Sequence, residues 1–452
     1  MNSRQSNQTI LAVGLIMAFR MLGLFMILPI FSTAALSLHG HTPLLIGIAA
    51  GIYGLTQACL QIPFGTWSDK VGRKPVIAFG LLLFALGSLI AASTQSIYGV
   101  IIGRAIQGMG AIGSTSLALV ADMTRDENRS KALAVIGMIF GLSFAVALVL
   151  GPLVNSHFGL SGIFYFTALL ALFALFLVYT LPTPPKLSNS TQSTNNKFAT
   201  ILKQPELMRL NFSIFAQHAI MCILFLALPH VLASYISPKG YHQALFYGVI
   251  LVFSFFAMIP FVINAEKNRR IKGTLLASIA VLMISQLLLY KINSSGMDIG
   301  IILCLFFTAF TLMESILPSL VSKIAPLSIK GAAMGVYSTS QFIGIAFGGA
   351  IGGILAKYTT LPSLFLVNAA LAALWLGYLL SLKKIPYTST FIFKSNKTSN
   401  DESRLQQIIH NIEGISDFAL APHEQLLYIK ADKKIIDENK LRNALENANL
   451  LA

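Results

Sequence analysis

The sequence predicts an all-α membrane protein with twelve transmembrane helices in two six-helix bundles, followed by a small α+β cytoplasmic domain. Three observations lead there. Of 452 residues, 55% are hydrophobic and only 11% charged, against about 25% charged in ordinary soluble domains. A mean hydropathy of +0.73 is too high for one anchor segment diluted by a soluble chain. Twelve apolar runs follow one another, each long enough to cross ~30 Å of hydrocarbon as a helix, and none alternates with the period of two that barrel strands require.

The runs 9–34, 44–64, 75–93, 97–121, 131–154 and 160–181 form the first bundle, residues 1–181. The runs 209–236, 243–264, 273–290, 299–321, 331–356 and 361–382 form the second, residues 209–386. Short loops on the side of Met1 carry nineteen Lys/Arg up to Lys384. The opposite loops carry three, Lys239, Lys291 and Lys357, a bias that places both termini in the cytoplasm. Between the bundles, residues 182–208 hold Pro182, Pro184 and Pro185 and then a Ser/Thr/Asn run, which reads as a flexible cytoplasmic linker. The halves echo each other, since FMILPIF at Phe25–Phe31 returns as FLALPHV at Phe225–Val231. A parallel repeat of this kind places a substrate site between the halves near mid-membrane.

The net charge of +15 belongs to these membrane loops. From residue 388 onward eight Lys/Arg face nine Asp/Glu, so the charge reflects orientation and no nucleic-acid partner is expected. Cys59, Cys222 and Cys304 lie in apolar runs without paired spacing, which argues against disulfides and zinc. In residues 388–452 the strands Thr390–Phe393, Ile415–Leu420 and Gln425–Ala431 alternate with the helices Asp401–Ile412 and Asp437–Asn447. The order β-α-β-β-α resembles a ferredoxin-like module of the kind found in copper pumps. It lacks their Cys-x-x-Cys, so no metal is expected.

The first loop on the basic side reads Gly65-Thr-Trp-Ser-Asp69-Lys-Val-Gly72-Arg73-Lys74-Pro75. Glycine permits the reversal, and Asp69 can pair with Arg73 across it. Arg104-Ala-Ile-Gln107-Gly108-Met-Gly110 stands in the fourth run, and Gly151-Pro152 ends the fifth. These three motifs resemble the signature loop, the second motif and the antiporter motif of the major facilitator superfamily. The last is degenerate, with Asn155 and Ser156 where that family has paired glycines. The segments Arg20–Pro29, Ile62–Pro75 and Ala333–Phe342, with the C-terminal module, are similar to the superfamily's YajR-type branch of proton-driven efflux transporters. The resemblance implies the superfamily's twelve-helix fold in the bacterial inner membrane and makes Gly65, Asp69, Gly72, Arg73 and Lys74 a conformational latch. Asp122 and Arg129 would complete its charge network, and the latch would pack on the facing half only in the outward-open state.

Ionisable groups inside the runs are the other signal, because each costs ~2.5–3.5 kcal/mol at a helix centre on insertion scales and so faces water or a partner. Glu314, in the tenth run, is the expected proton carrier, with hydrogen bonding to a neighbouring helix as its other reading. His218, in the seventh, is placed to approach it, or else to pack as a neutral ring. Arg104 either couples protons or braces helices. Arg20 has no carboxylate on its own helix and needs a carbonyl, water or an anionic ligand. Tyr53, Gln57, Gln107, Tyr337 and Gln341 are the polar cavity candidates, and Phe215, Met221 and Phe225 the apolar ones. The glycines of Gly344–Gly353 suit close helix packing.

The expected activity is therefore secondary active transport by alternating access, exporting a small molecule or drug in exchange for protons, with no cofactor and the proton as coupling ion. The absence of a Gly-x4-Gly-Lys-Ser/Thr loop disfavours a primary pump. No nucleophile, base or metal constellation indicates an enzyme. The alternatives are a proton-coupled importer of a sugar or small acid, and a non-transporting sensor. Beyond substrate, protons and lipid bilayer, the C-terminal domain is expected to bind a cytoplasmic ligand or to self-associate.

Overall fold

The computed structural model describes residues 3–124, 126–181, 194–237, 240–291, 296–383, 388–395, 412–421, 426–432, 435–436 and 438–447. It is dominated by helices: α1 (Ser3–Phe25), a single turn α2 (Phe31–Ala34), α3 (Pro43–Val71), α4 (Arg73–Ser93), α5 (Ile97–Met109), α6 (Gly113–Asp122) and α7 (Asp126–Thr180). Then follow α8 (Thr194–Lys203), α9 (Pro205–Ala233), α10 (Gly240–Lys267), α11 (Ile271–Lys291), α12 (Gly296–Ile324), α13 (Lys330–Tyr358) and α14 (Ser363–Leu380). Nine helical stretches among the described residues are long and apolar enough to cross a membrane. One of them, in α7, carries two of the expected spans and is folded at Gly159, whose φ of +67° and ψ of −172° only glycine adopts easily. Phe253, Phe256 and Phe261 on α10 are 52–65% exposed, the apolar surface that lipid covers.

Two expected spans are broken. The first run turns at Met26–Ile30 between α1 and α2, whereas its echo at Phe225–Val231 stays helical inside α9, so the shared letters do not share a conformation. The fourth run breaks at Gly110–Ile112, where Gly110 lies against the Gly80 carbonyl and a side chain would not fit. The expected linker is helical in part. Ile201, fully buried, anchors α8, while residues 182–193 and the Arg129 side chain lie outside the described residues.

The contacts divide the chain into two compact units, one of Met1–Gln192, Asn211–Leu317 and Gly335–Ser381, the other of Ser193–Leu210, Pro318–Met334 and Leu382–Ala452. Inside the first, α1 and α4 pack on α7, α3 packs on α5, and α11 on α14. The two six-helix sets meet at the ends remote from the Gly65–Pro75 loop. There α3 crosses α13 through glycine: a Cβ at Gly349 would stand 2.6 Å from Gly47 O and Gly51 Cα, and one at Gly353 2.9 Å from Gly47 Cα. Gly240 at the start of α10 likewise abuts Pro152 O and Ser156 of α7. Close backbone approach through small residues is what holds helices together where lipid removes the hydrophobic drive. Nearer the loop end, Gly137 and Gly141 of α7 and Gly335 of α13 face open space. The two six-helix sets of the first unit are thus in close backbone contact at one end.

In the second unit β1 (Thr388–Lys394), β2 (Ile415–Ala421) and β3 (Leu426–Asp432) form an antiparallel sheet in the order β1-β3-β2, with α15 (Glu438–Asn447) after it. Phe391, Phe393, Leu427, Ile429, Leu441 and Leu445 make its core. The expected helix Asp401–Ile412, Ile412 apart, and the hairpin turn 422–425 lie outside the described residues. Two bonds tie this sheet to the segment between α12 and α13: Lys430 Nζ donates to the Ala325 carbonyl at 3.0 Å, and Leu327 N–H donates to Asp417 Oδ2 at 2.9 Å.

Candidate functional site

Arg20 of α1 is 1% exposed in the core of the first half. Its Nη2 donates to the Tyr53 hydroxyl at 2.7 Å and to Gln57 Oε1, both on α3, and Gln57 Nε2 donates to Gln61 Oε1 at 3.2 Å. The four-residue step from Tyr53 to Gln57 to Gln61 puts all three on one face of α3. No carboxylate answers Arg20 among the described residues, and its Nε and Nη1 have no partner. Arg104 of α5 differs. It donates to the Ala49 and Ala50 carbonyls, both at 3.3 Å, and to Gln107 Oε1 at 3.5 Å, so it braces α5 against α3. Both guanidinium groups approach the Tyr53 ring, at 6.0 Å for Arg20 and 5.2 Å for Arg104.

The second half presents a carboxylate. Glu314 of α12 accepts a hydrogen bond at 3.0 Å from Gln217 of α9, whose amide also donates to the Phe310 carbonyl at 3.1 Å. No cation pairs with Glu314 among the described residues. The buried Tyr337 hydroxyl, without a hydrogen-bond partner, lies within its field. His218 does not meet Glu314. Its Nδ1 donates to the Ile214 carbonyl at 3.2 Å and its Nε2 accepts from Gln341 of α13 at 2.8 Å, the pattern of a neutral imidazole with both nitrogens used. The reason is helical geometry: residues 217 and 218 are adjacent, hence about 100° apart around α9, and Gln217 takes the face toward α12.

Across the middle, Tyr53 leans on Phe342 of α13 at 6.2 Å, and Phe144 of α7 stacks on Phe310 of α12 at 5.8 Å. Phe225 shares a pocket with Arg104, Cys222 and Ala50. Two cavity candidates are placed elsewhere. Gln107 donates to Ser88 at 2.7 Å between α5 and α4, and the Phe215 ring tilts against Phe347, itself 40% exposed. Met221 is buried in α9. Sequence reasoning missed Gln61, Gln217 and Phe342. For Gln61 the spacing of four from Gln57 was the available signal.

At the other feature, the signature residues are mostly helical: Gly65–Val71 complete α3, and Gly72, with φ of +107°, makes the reversal alone. Arg73 donates to Asp122 at 2.9 Å, to Ser68 at 2.7 Å and to Asp69, while Lys74 donates to the Leu181 carbonyl. All of these bonds lie inside the first half, in a structure whose halves meet at the opposite end.

Residues 13–349 and 266–412 match the sequence profile of the Major Facilitator Superfamily. The chain belongs to the Major Facilitator Superfamily. Within this superfamily it is 39% identical over 443 residues to the inner membrane transport protein YajR of Escherichia coli K12, with 96% of each chain covered. It is 25% identical over 339 residues to the multidrug resistance protein MdtH of Aeromonas salmonicida, covering 73% of this chain and 82% of that one. The crystal structure of a D-xylose-proton symporter shares the superfamily fold with a TM-score of 0.68 at 15% identity, over 84% of this chain and 98% of the other. These relatives are transporters and not enzymes, and the chain is a multi-pass inner-membrane secondary transporter. It presents a buried cation, Arg20, and a half-buried carboxylate, Glu314, on opposite halves, which meet in close backbone contact at the end remote from the Gly65–Pro75 loop.

Proposed function

We propose that the protein exports a small molecule in exchange for protons, with Glu314 as the group that takes up and releases the proton. The observation that carries this reading is the environment of Glu314, a half-buried carboxylate on α12 held by one neutral amide and by no described cation. Such a group gains and loses a proton without breaking an ion pair, whereas a salt-bridged carboxylate would have to be freed first. His218 acts as a brace between α9 and α13, since both its nitrogens are committed. The loop end is cytoplasmic, as is each terminus, in keeping with the basic residues concentrated there, so the glycine crossing closes the outer face. The Gly65–Lys74 latch, with Asp122, holds the first half's inner end in shape and docks on the second half when the protein opens outward. Export follows the multidrug relative and the Gly151–Pro152 motif, where the Gly151 backbone lies against Met26 O.

Vesicles containing the purified protein and a panel of labelled small acids and neutral drugs test the proposal. Efflux of at least one compound should accelerate when a pH gradient drives protons inward, and Glu314→Gln should abolish that acceleration. Flux indifferent to the gradient, or an unaltered Glu314→Gln variant, would overturn it.

A further inference from the structure

We infer that Arg20, Gln57, Gln61 and the start of α6 at Gly113 form a binding site for the carboxylate of a small organic acid, which rests on the export reading above and gives it a substrate class. The site is built. Arg20 is 99% buried, judged from its 1% exposure, yet only Nη2 is bonded, leaving Nε and Nη1 as donors with nothing to receive them. A buried charged donor left unsatisfied is costly, and an acceptor carrying negative charge removes that cost most completely. Space for it lies beside Nη1. A Cβ at Gly113 would stand 3.8 Å from Gln61 Oε1, 3.9 Å from Gln57 Nε2 and 4.0 Å from Arg20 Nη1, so the glycine leaves a gap bordered by these three polar groups.

The gap opens on the N-terminus of a ten-residue helix, since the fourth span restarts at Gly113 after its break. Free amide groups and the helix dipole favour an anion there. Arg104 adds a second cation on the other approach to the Tyr53 ring, and no acid opposes either guanidinium among the described residues. One negative charge therefore suits the site better than a neutral or cationic group. Export of an anion against an entering proton moves two charges per exchange, so the membrane potential assists both movements.

Binding of labelled benzoate to the full-length protein in lipid nanodiscs, with benzamide as its neutral counterpart and acetate and chloride as smaller anions, tests the assignment. Saturable benzoate binding that benzamide does not displace is expected, with affinity reduced at least tenfold in Arg20→Gln. Gly113→Ala fills the gap at ordinary contact distance, so it should lose benzoate while keeping the wild-type melting temperature, which covers the event that Arg20→Gln folds poorly. Glu314→Gln should bind benzoate normally, so failure of the proton assignment and failure of the anion site are told apart. Displacement by benzamide as efficiently as by benzoate, wild-type benzoate affinity in Gly113→Ala, or no saturable binding of benzoate, acetate or chloride would overturn the inference.

Discussion

Arg20 and Arg104 are the same residue in the same half, and their surroundings give them opposite roles. Arg104 reaches two carbonyls of α3 and one side chain of its own helix, so its energy goes into holding α3 to α5. Replacing it by Ala removes these bonds and should lower stability by about 2 kcal/mol, measured as a lowered melting temperature in detergent. His218 is a comparable case, since Gln341→Leu leaves Nε2 without its donor at a cost of about 1–3 kcal/mol and should leave the pH dependence of transport unchanged. Arg20, Arg104, Glu314 and His218 stood out in the sequence because charge inside an apolar run is conspicuous. Their partners did not, because Gln61 and Gln217 are neutral amides that periodicity cannot tell from surface residues, and which face of α9 turns inward is a tertiary fact.

At the scale of helices, the crossing of α3 over α13 joins the ends remote from the Gly65–Pro75 loop. Gly349→Val places methyl groups where Gly47 and Gly51 backbone now lies, and overpacking of that kind typically costs about 1–3 kcal/mol. The substitution should leave the protein folded but biased toward the outward-open state, read as an increased spin-label distance between the outer ends of α3 and α13. Unchanged distances would show that the glycines do not set closure. The glycine run on α13 was readable as a packing stripe, yet its match on α3, at Gly47, Gly51 and Gly54, emerged only from the fold. The latch behaves differently. Because Arg73 bonds Asp69, Asp122 and Ser68 within one half, those pairs are present while the far ends are closed, so under the proposed latch the state dependence would belong to docking of the loop. Asp122→Asn should slow turnover roughly tenfold, the effect of ~1.4 kcal/mol on a two-state balance, without lowering expression. Helix ends were the least legible features, since the breaks at Met26–Ile30 and Gly110–Ile112 fall in runs whose hydrophobicity never lapses.

The whole molecule joins a membrane transporter to a small sheet domain, and the bonds from Lys430 to Ala325 and from Leu327 to Asp417 fasten that domain to the connection between α12, which carries Glu314, and α13, which carries Gln341. Removing residues 388–452 should therefore leave transport intact but alter its rate, as should the double change Asp417→Ala and Lys430→Ala. Complete loss of flux in the double variant would make the domain part of the transport machinery itself. The helical spans, the two bundles and the three strands could be read from hydrophobic periodicity, whereas the closure of one end could not, because it depends on backbone contacts between segments some 300 residues apart. Glu314 is the proposed site where the proton enters and leaves. A pH jump applied to the protein on a solid-supported membrane measures this directly, without knowledge of the substrate. Wild-type protein should give a transient charge displacement that Glu314→Gln lacks, and an undiminished transient in that variant would contradict the account.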